Sequence, residues 1–365
     1  MLSKDDLSQL LKAYKDQKKD ENLFIDTQSI HWENYFKEND KFYNLDNLIN
    51  FRKNQLLSKG LDDATNLQNS FNLIEALKHF EGDFLKKNLP EKNIGNCEYS
   101  INFLGHYFDY GMIHHLKWYE EVKMYIQKNS FILEIGGGFG SFSRIILNNK
   151  NVKYFLVDLP EANLMSNYYL QSHFPEKKIF NYSNLKENKL NECLNNYDIF
   201  ILPPRILEKE DIKFDFIINS RSFMEMNKKI IQEYFDLIQN KINQTGYFLN
   251  INRYLKSSVN EDIKFDEYPY DNFWNVEISK KSFLQPSVHF LLTKRHNIEG
   301  NINDELLMIK KTTKKLEYPG TKILNLFKSR TKKFVWLIIK SILFFLFSKK
   351  ILKKVSKVIN NISEL

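Results

Sequence analysis

An α/β fold, with a parallel sheet covered by helices on both faces, is predicted by three observations. From residue 131 onward, short apolar runs alternate with stretches of helical periodicity. The first of those runs ends on an acid and is followed by four glycines in five positions, in a chain of 365 residues that has only 12 glycines. The preceding 125 residues carry helical spacing and no such alternation, so they read as a separate, mainly helical N-terminal region.

Taken in order, "SFNLIEALKHFEGDFLKK" (70–87) spaces Phe71, Ile74, Leu77, Phe80 and Phe84 along one helix face. The stretch 101–126 reads as two helices broken at Gly111. "FILEI" (131–135) is a buried strand, followed by the glycines and a helix over "SFSRIILNN". "VKYFLVD" (152–158) is the second strand, and "PEANLMSNYYLQSHF" a helix with proline in its first turn. "DIFIL" (198–202) and "FDFIIN" (214–219) are further strands. The helix over 227–242 shows a stripe of Ile230, Ile231, Tyr234, Phe235 and Ile238. "YFLNIN" (247–252) follows, and 273–278 with 288–293 are placed to close the sheet as a hairpin.

Composition bounds the function. Aromatic content of 15% and hydrophobic content of 42% exclude a disordered chain. Cys97 and Cys193 are far apart and outside any CxxC, so neither a disulfide nor a zinc framework is expected, and a reducing cytoplasm is. The charged first 22 residues lack the apolar core of a signal peptide. The formal charge of +8 is concentrated: residues 328–357 hold ten Lys/Arg and no acid, leaving the rest close to neutral. That distribution does not suit a nucleic-acid enzyme, which spreads positive charge over its active face.

The glycines sit where ligands bind in open α/β sheets, beyond the carboxyl ends of the strands. Their spacing does not fit the dinucleotide fingerprint G-x-G-x-x-G/A: the third position falls on Ser141 or Ser143. It does fit an acid, a spacer, then G-x-G-x-G, namely Glu134, Gly136, Gly138 and Gly140. Asp158 ends the second strand twenty residues after Gly138, where one carboxylate can accept from two ribose hydroxyls.

"LEIGGGFG" resembles motif I of the class I S-adenosylmethionine-dependent methyltransferases. The segments 157–175, 214–226 and 268–295 together resemble a bacterial group of sugar O-methyltransferases found among surface-polysaccharide enzymes. The likeness runs from about residue 95 to 296, and is weaker over 31–60. The resemblance implies a Rossmann-like seven-stranded sheet, mostly parallel with its last strand antiparallel. It also implies S-adenosylmethionine as cofactor and a sugar or glycan hydroxyl as acceptor. The domain then spans 126–296, followed by a linker over 297–327. Two rivals stay open: methylation of a lipid or other small alcohol, and a non-catalytic membrane-associated scaffold of the same fold.

The end of the fourth strand faces the transferred methyl in this fold, and it reads "NSRSFMEM" (219–226). Asn219 is a candidate to orient the cofactor or the acceptor, Arg221 to hold an anionic substrate, and Glu225 to take the hydroxyl proton. Glu225 also lies three residues after Ser222, which reads equally as a capping box. His289, in a closing strand, is a second candidate base, against the plainer reading of a core histidine. His173 reads as surface. The adjacent His114 and His115 cannot share a helix face, and no acidic cluster points to a metal, so metal dependence stays open. "LPPR" (202–205) lacks the residues of an amino-methyltransferase box and reads as a stiffened strand exit.

Residues 328–365 form a basic amphipathic tail. Its apolar stretch 334–347 would span roughly 21 Å as a helix, short of a bilayer core. The lysines bracketing it suit attachment to an anionic membrane surface, on the cytoplasmic side; packing on a partner subunit or on the body is the alternative.

Overall fold

A computed structural model describes residues 2–23, 38, 40–53, 73–257 and 261–317. The basic tail, and half of the segment 31–60, lie outside the described residues. One compact unit spans Met1–Lys310. A second spans Lys311–Leu365, and only the helical residues 311–317 of it are described.

The N-terminal helix Lys4–Lys19 starts at a capping box between Ser3 and Asp6, carries Asp5 and Asp6 in its first turn and ends on Lys18 and Lys19. Both ends thus match the helix dipole. It buries Leu10, Leu11, Ala13, Tyr14 and Gln17. After it come the short helices Leu45–Ile49 and Gly82–Asn88, then a hairpin of β1 (Ile101–Phe103) and β2 (His106–Phe108), then the helix Tyr110–Val122.

Two expectations for this region are corrected. The stripe over 70–87 is not one helix: residues 73–77 are helical, 78–80 turn, and helix resumes at Gly82. Ile74 is consequently 41% exposed, while Leu77 and Phe80 are buried. The stretch 101–126 opens as the β1–β2 hairpin rather than a helix. Leu104 and Gly105 both take left-handed φ at its tip, and the Gly105 N–H donates to Asn102 Oδ1. The helix then begins on Asp109, whose Oδ1 accepts from the Met112 N–H, and Gly111 sits harmlessly within its first turn.

The central sheet is built as the alternation predicts. β3 (Phe131–Ile135), β4 (Lys153–Val157), β5 (Ile179–Phe180), β6 (Ile199–Leu202), β7 (Phe214–Ser220) and β8 (Ile242–Arg253) all run parallel. β9 (Leu255–Ser257) and β10 (Asp262–Lys264) form a separate small hairpin. β11 (Trp274–Ser282) and β12 (Gln285–Arg295) pair antiparallel and dock through β12 on β8. The order is β11-β12-β8-β7-β3-β4-β6-β5, with β12 antiparallel to both neighbours. Among the described residues the sheet has eight strands where seven were expected; the additional one is the two-residue edge strand β5.

The helices Ser141–Asn149, Pro160–His173 and Lys228–Lys241 connect these strands. In the last, Asn227 caps the Ile230 N–H and all five residues of the predicted stripe are buried. "LPPR" leaves β6 into the 3-10 helix Pro204–Glu208, as a strand exit. Part of the expected linker is structured: Ile302–Glu317 is a helix, with Ile302 and Ile309 buried.

The N-terminal region and the sheet share one apolar core. A single cluster runs from Leu10 and Phe51 through Ile113 and Leu116 to Leu156, Ile218 and Phe290. Cys97 and Cys193 are both free and buried. Among the described residues no helix is long and apolar enough to cross a membrane.

Candidate active site

β3 and β7 are adjacent, with β4 on the other side of β3, so the turns after these three strands meet at one edge of the sheet. The glycine turn between β3 and the helix Ser141–Asn149 is held in a backbone that side chains resist. Gly136, Gly138 and Gly140 take φ of 71°, 58° and 87°. A Cβ on Gly136 would lie 2.0 Å from Ser222 Oγ, so the turn after β7 closes directly over it.

Glu134 lies beneath this turn, 1% exposed. Its Oε2 accepts from Ser143 Oγ at 2.5 Å and from the Tyr154 hydroxyl at 2.7 Å. Burial pushes its carboxyl up to about 7, against those two bonds, with the Asp158 charge adding to the rise. A Cβ on Gly137 would meet this carboxyl carbon at 2.9 Å. Glu134 therefore acts from inside: it ties the glycine turn to the first helix and to β4.

Asp158 points at the turn. Its Oδ2 accepts from the Gly138 N–H at 2.8 Å and its Oδ1 from the Leu159 N–H at 2.7 Å. The residue is half-buried. Burial raises its carboxyl to about 7; the two amides oppose this, while Glu161 and Glu225 reinforce it. An ionised carboxylate offers about four lone-pair sites, and the two amides take two of them, which leaves two, the number a ribose diol requires. The residues present thus fit the nucleoside end of the expected cofactor.

Asn219 is fully buried at the end of β7. Its Nδ2 donates to the Ile135 carbonyl at 3.0 Å, and its Oδ1 accepts from the Phe223 N–H and from Asn252 Nδ2. Asn252 donates onward to Asn250, which donates to the Tyr270 hydroxyl. This amide ladder clamps β3, β7 and β8 together below the crevice, so Asn219 acts through the strand ends. Sequence reasoning missed the ladder. Its trace in the sequence is the pair of asparagines two apart in an otherwise apolar strand, "FLNIN".

Arg221 follows at φ 58°, a left-handed backbone that a non-glycine residue rarely takes. Its N–H donates to the Ile251 carbonyl at 2.7 Å. Ser222 makes no side-chain cap, so the capping box does not form. Instead Glu225 pairs with Lys256 at 2.7 Å, half-buried, close enough for its charge to act on Asp158.

His289 is placed differently from the others. It is 3% exposed, with Nδ1 2.9 Å from the Tyr254 hydroxyl and Nε2 3.1 Å from Ser279 Oγ, which donates to Glu305. Burial lowers its pKa to about 3. Both ring nitrogens are engaged inside the protein, the plainer of the two readings. His173, expected at the surface, is half-buried against Tyr169. His115, by contrast, lies by the glycine turn, Nδ1 3.0 Å from Oγ of Ser141. Among the described residues, no three His, Cys, Asp or Glu side chains gather as a metal site would need.

No family model matches the chain, and no curated protein does. Solved structures similar to parts of it are methyl-transferring enzymes. A methyltransferase from Pyrococcus furiosus is 13% identical, with 50% of this chain and 83% of that chain covered at a TM-score of 0.34. The mitomycin 7-O-methyltransferase MmcR is 14% identical over 46% of this chain and 49% of its own, at 0.33. The ribosomal protein L11 methylase from Lactobacillus delbrueckii subsp. bulgaricus is 14% identical over 52% and 81%, at 0.32. Likenesses of this size assign no activity.

Proposed function

We propose that this chain is an S-adenosylmethionine-dependent O-methyltransferase acting on a hydroxyl of a sugar or glycan precursor. The reading is carried by one observation: Asp158 at the end of β4 grips the Gly138 amide of a turn built from three left-handed glycines. That arrangement presents backbone N–H groups and a carboxylate with two open acceptor positions in one crevice. When bound, the cofactor supplies an electrophilic methyl group.

The chain's own residues supply the rest. Glu134 and the asparagine ladder fix the turn and strand ends, Asp158 holds the ribose, and Arg221 holds an anionic group of the acceptor. Glu225, kept near the crevice by Lys256, takes the hydroxyl proton; with both nitrogens of His289 engaged, Glu225 is the better placed of the two candidates. Oxygen as the accepting atom and a glycan as the acceptor rest on the sequence resemblance.

Calorimetry with S-adenosylhomocysteine tests the cofactor reading. Losing two hydrogen bonds to a charged group costs about 3 kcal/mol or more, so Asp158→Ala is expected to bind about 100-fold more weakly than wild type. Equal binding would remove the ribose assignment. Labelled cofactor, offered with free, nucleotide-linked and lipid-linked glycans, then reads the acceptor class.

The proposal extends to a cytoplasmic membrane surface reached by residues 328–365. The full chain is expected to float with vesicles containing anionic lipid, and a chain ending at residue 327 to stay behind. Identical flotation of the two would remove the anchor.

A further inference from the structure

The turn after β7 carries a strained residue and an uncommitted hydroxyl side by side. Arg221, at φ 58°, donates its N–H to the Ile251 carbonyl at 2.7 Å. Just beyond it, the Phe223 N–H donates to Asn219 Oδ1 at 3.1 Å and the Met224 N–H to Asn252 Oδ1 at 3.2 Å. A left-handed backbone at a non-glycine residue persists only where its surroundings over-determine it, and such strain collects at functional sites. Here it places Ser222. A Cβ on Gly136 would lie 2.0 Å from Ser222 Oγ and 2.5 Å from Ser222 Cβ, so the hydroxyl is laid directly on the first glycine of the turn after β3. That hydroxyl caps no helix and makes no hydrogen bond among the described residues. Ser222 is half-buried, and its oxygen is not sealed from solvent.

Strand order says which part of a ligand Ser222 would meet. The sequence of strands here is β7-β3-β4-β6, and at about 4.8 Å per strand the ends of β4 and β7 stand about 10 Å apart across the glycine turn. Base and thioether chain leave a ribose from opposite sides of its ring. With the ribose at Asp158, one of them runs toward the exit of β6 and the other across the glycines to the exit of β7. The β6 exit is apolar, with Leu202, Pro203 and Pro204 all buried, and suits the base. The β7 exit is polar, carrying Arg221, Ser222 and Glu225, and suits a charged group. We propose that the Ser222 hydroxyl binds the charged amino-acid end of the cofactor. The proposal rests on the ribose role given above to Asp158. A hydroxyl both donates and accepts, so it serves either the carboxylate or the ammonium of that end.

The test compares two ligands by calorimetry on the full chain: S-adenosylhomocysteine, and methylthioadenosine, which keeps the base and ribose and lacks the amino-acid end. Ser222→Ala is expected to bind S-adenosylhomocysteine about tenfold more weakly, the loss of one hydrogen bond to a charged group, and to bind methylthioadenosine as wild type does. Asp158→Ala, by contrast, weakens both, since both carry the ribose. Because the hydroxyl has no partner in the free chain, the Tm of Ser222→Ala should stay within about 2 °C of wild type. Unchanged affinity for S-adenosylhomocysteine overturns the inference. So does a loss shared equally by the two ligands, or a Tm lowered beyond that margin. Each of these leaves the cofactor reading intact. A wild-type chain that binds neither ligand overturns both.

Discussion

Arg52→Met is expected to lower the stability of the protein by about 3–5 kcal/mol, the range for stripping one partner from a buried ion pair. Arg52 Nη2 lies 2.6 Å from Asp109 Oδ2, and the two side chains are 3% and 7% exposed. Burial by itself pushes the Asp109 carboxyl up. The Arg52 guanidinium and the Met112 N–H outweigh it and hold the group below the ordinary carboxylate range. Without Arg52 that carboxylate is buried with no cation beside it. The double variant Arg52→Met/Asp109→Asn removes the charge while keeping an acceptor for the helix cap, and should recover all but about 1 kcal/mol of the loss. Urea titrations of wild type, single and double variants measure both quantities. A double variant no more stable than Arg52→Met would show that the loss is one of packing. The pair matters to the crevice as well, because the guanidinium lies 4.9 Å from the ring centroid of Phe139, the residue between Gly138 and Gly140. Phe51 and Tyr169 hold the same ring, at 5.4 and 5.0 Å. The glycine turn is therefore braced by the N-terminal region, and the single variant should also bind S-adenosylhomocysteine less tightly.

How far the sequence foretold this site depends on the range of the interactions involved. β3, β4, β6 and β7 were legible because each is a continuous apolar run in a doubly covered sheet, and the helix Lys228–Lys241 because its stripe repeats at helical spacing. The glycine turn was legible for a local reason too: only glycine takes that backbone cheaply three times in five residues. The hairpin at 101–108 was not, since its strands are three residues long and aromatic residues pack equally well in a helix. Side-chain roles were harder still. Asn219 reads as a ligand residue until Asn252, 33 positions later, is seen to donate to it. Ser222 and Glu225 have capping-box spacing, but the turn over Gly136 draws Ser222 away and Lys256 takes Glu225. Lys18, in a charged helix, looks like ordinary solvated surface; only the fold brings it to Glu161.

Acid is expected to unfold this protein from below about pH 6.5, and cofactor analogue to make the loss steeper. Burial lowers the pKa of His114, His115, His173 and His289 to about 3 in each case. Each such group contributes stability above the unfolded value of about 6.5 and loses it as pH falls toward 3, because the unfolded chain binds a proton that the native state refuses. Glu134 and Asp158 act in the opposite sense. Their native values of about 7 exceed the unfolded ones, so their contribution is present in acid and is lost as pH rises through 7. Glu161, whose carboxyl burial also raises, opposes the histidines in the same sense, and His115, His173 and Asp158 are only half-buried, so four protons against these three carboxyls leave a net uptake of about one on unfolding. That corresponds to a loss of about 1.4 kcal/mol per pH unit between pH 6.5 and 5. Binding of S-adenosylhomocysteine keeps Asp158 ionised and removes its share of the opposing effect, so the slope should steepen by up to about 1.4 kcal/mol per unit while the complex persists. Urea unfolding at pH 7.5, 6.5 and 5.5, with and without the analogue, gives both slopes. Stability that is flat or rising toward pH 5.5 in the free protein would mean that the four imidazoles are not held neutral by the fold, and a slope indifferent to the analogue would detach Asp158 from the crevice.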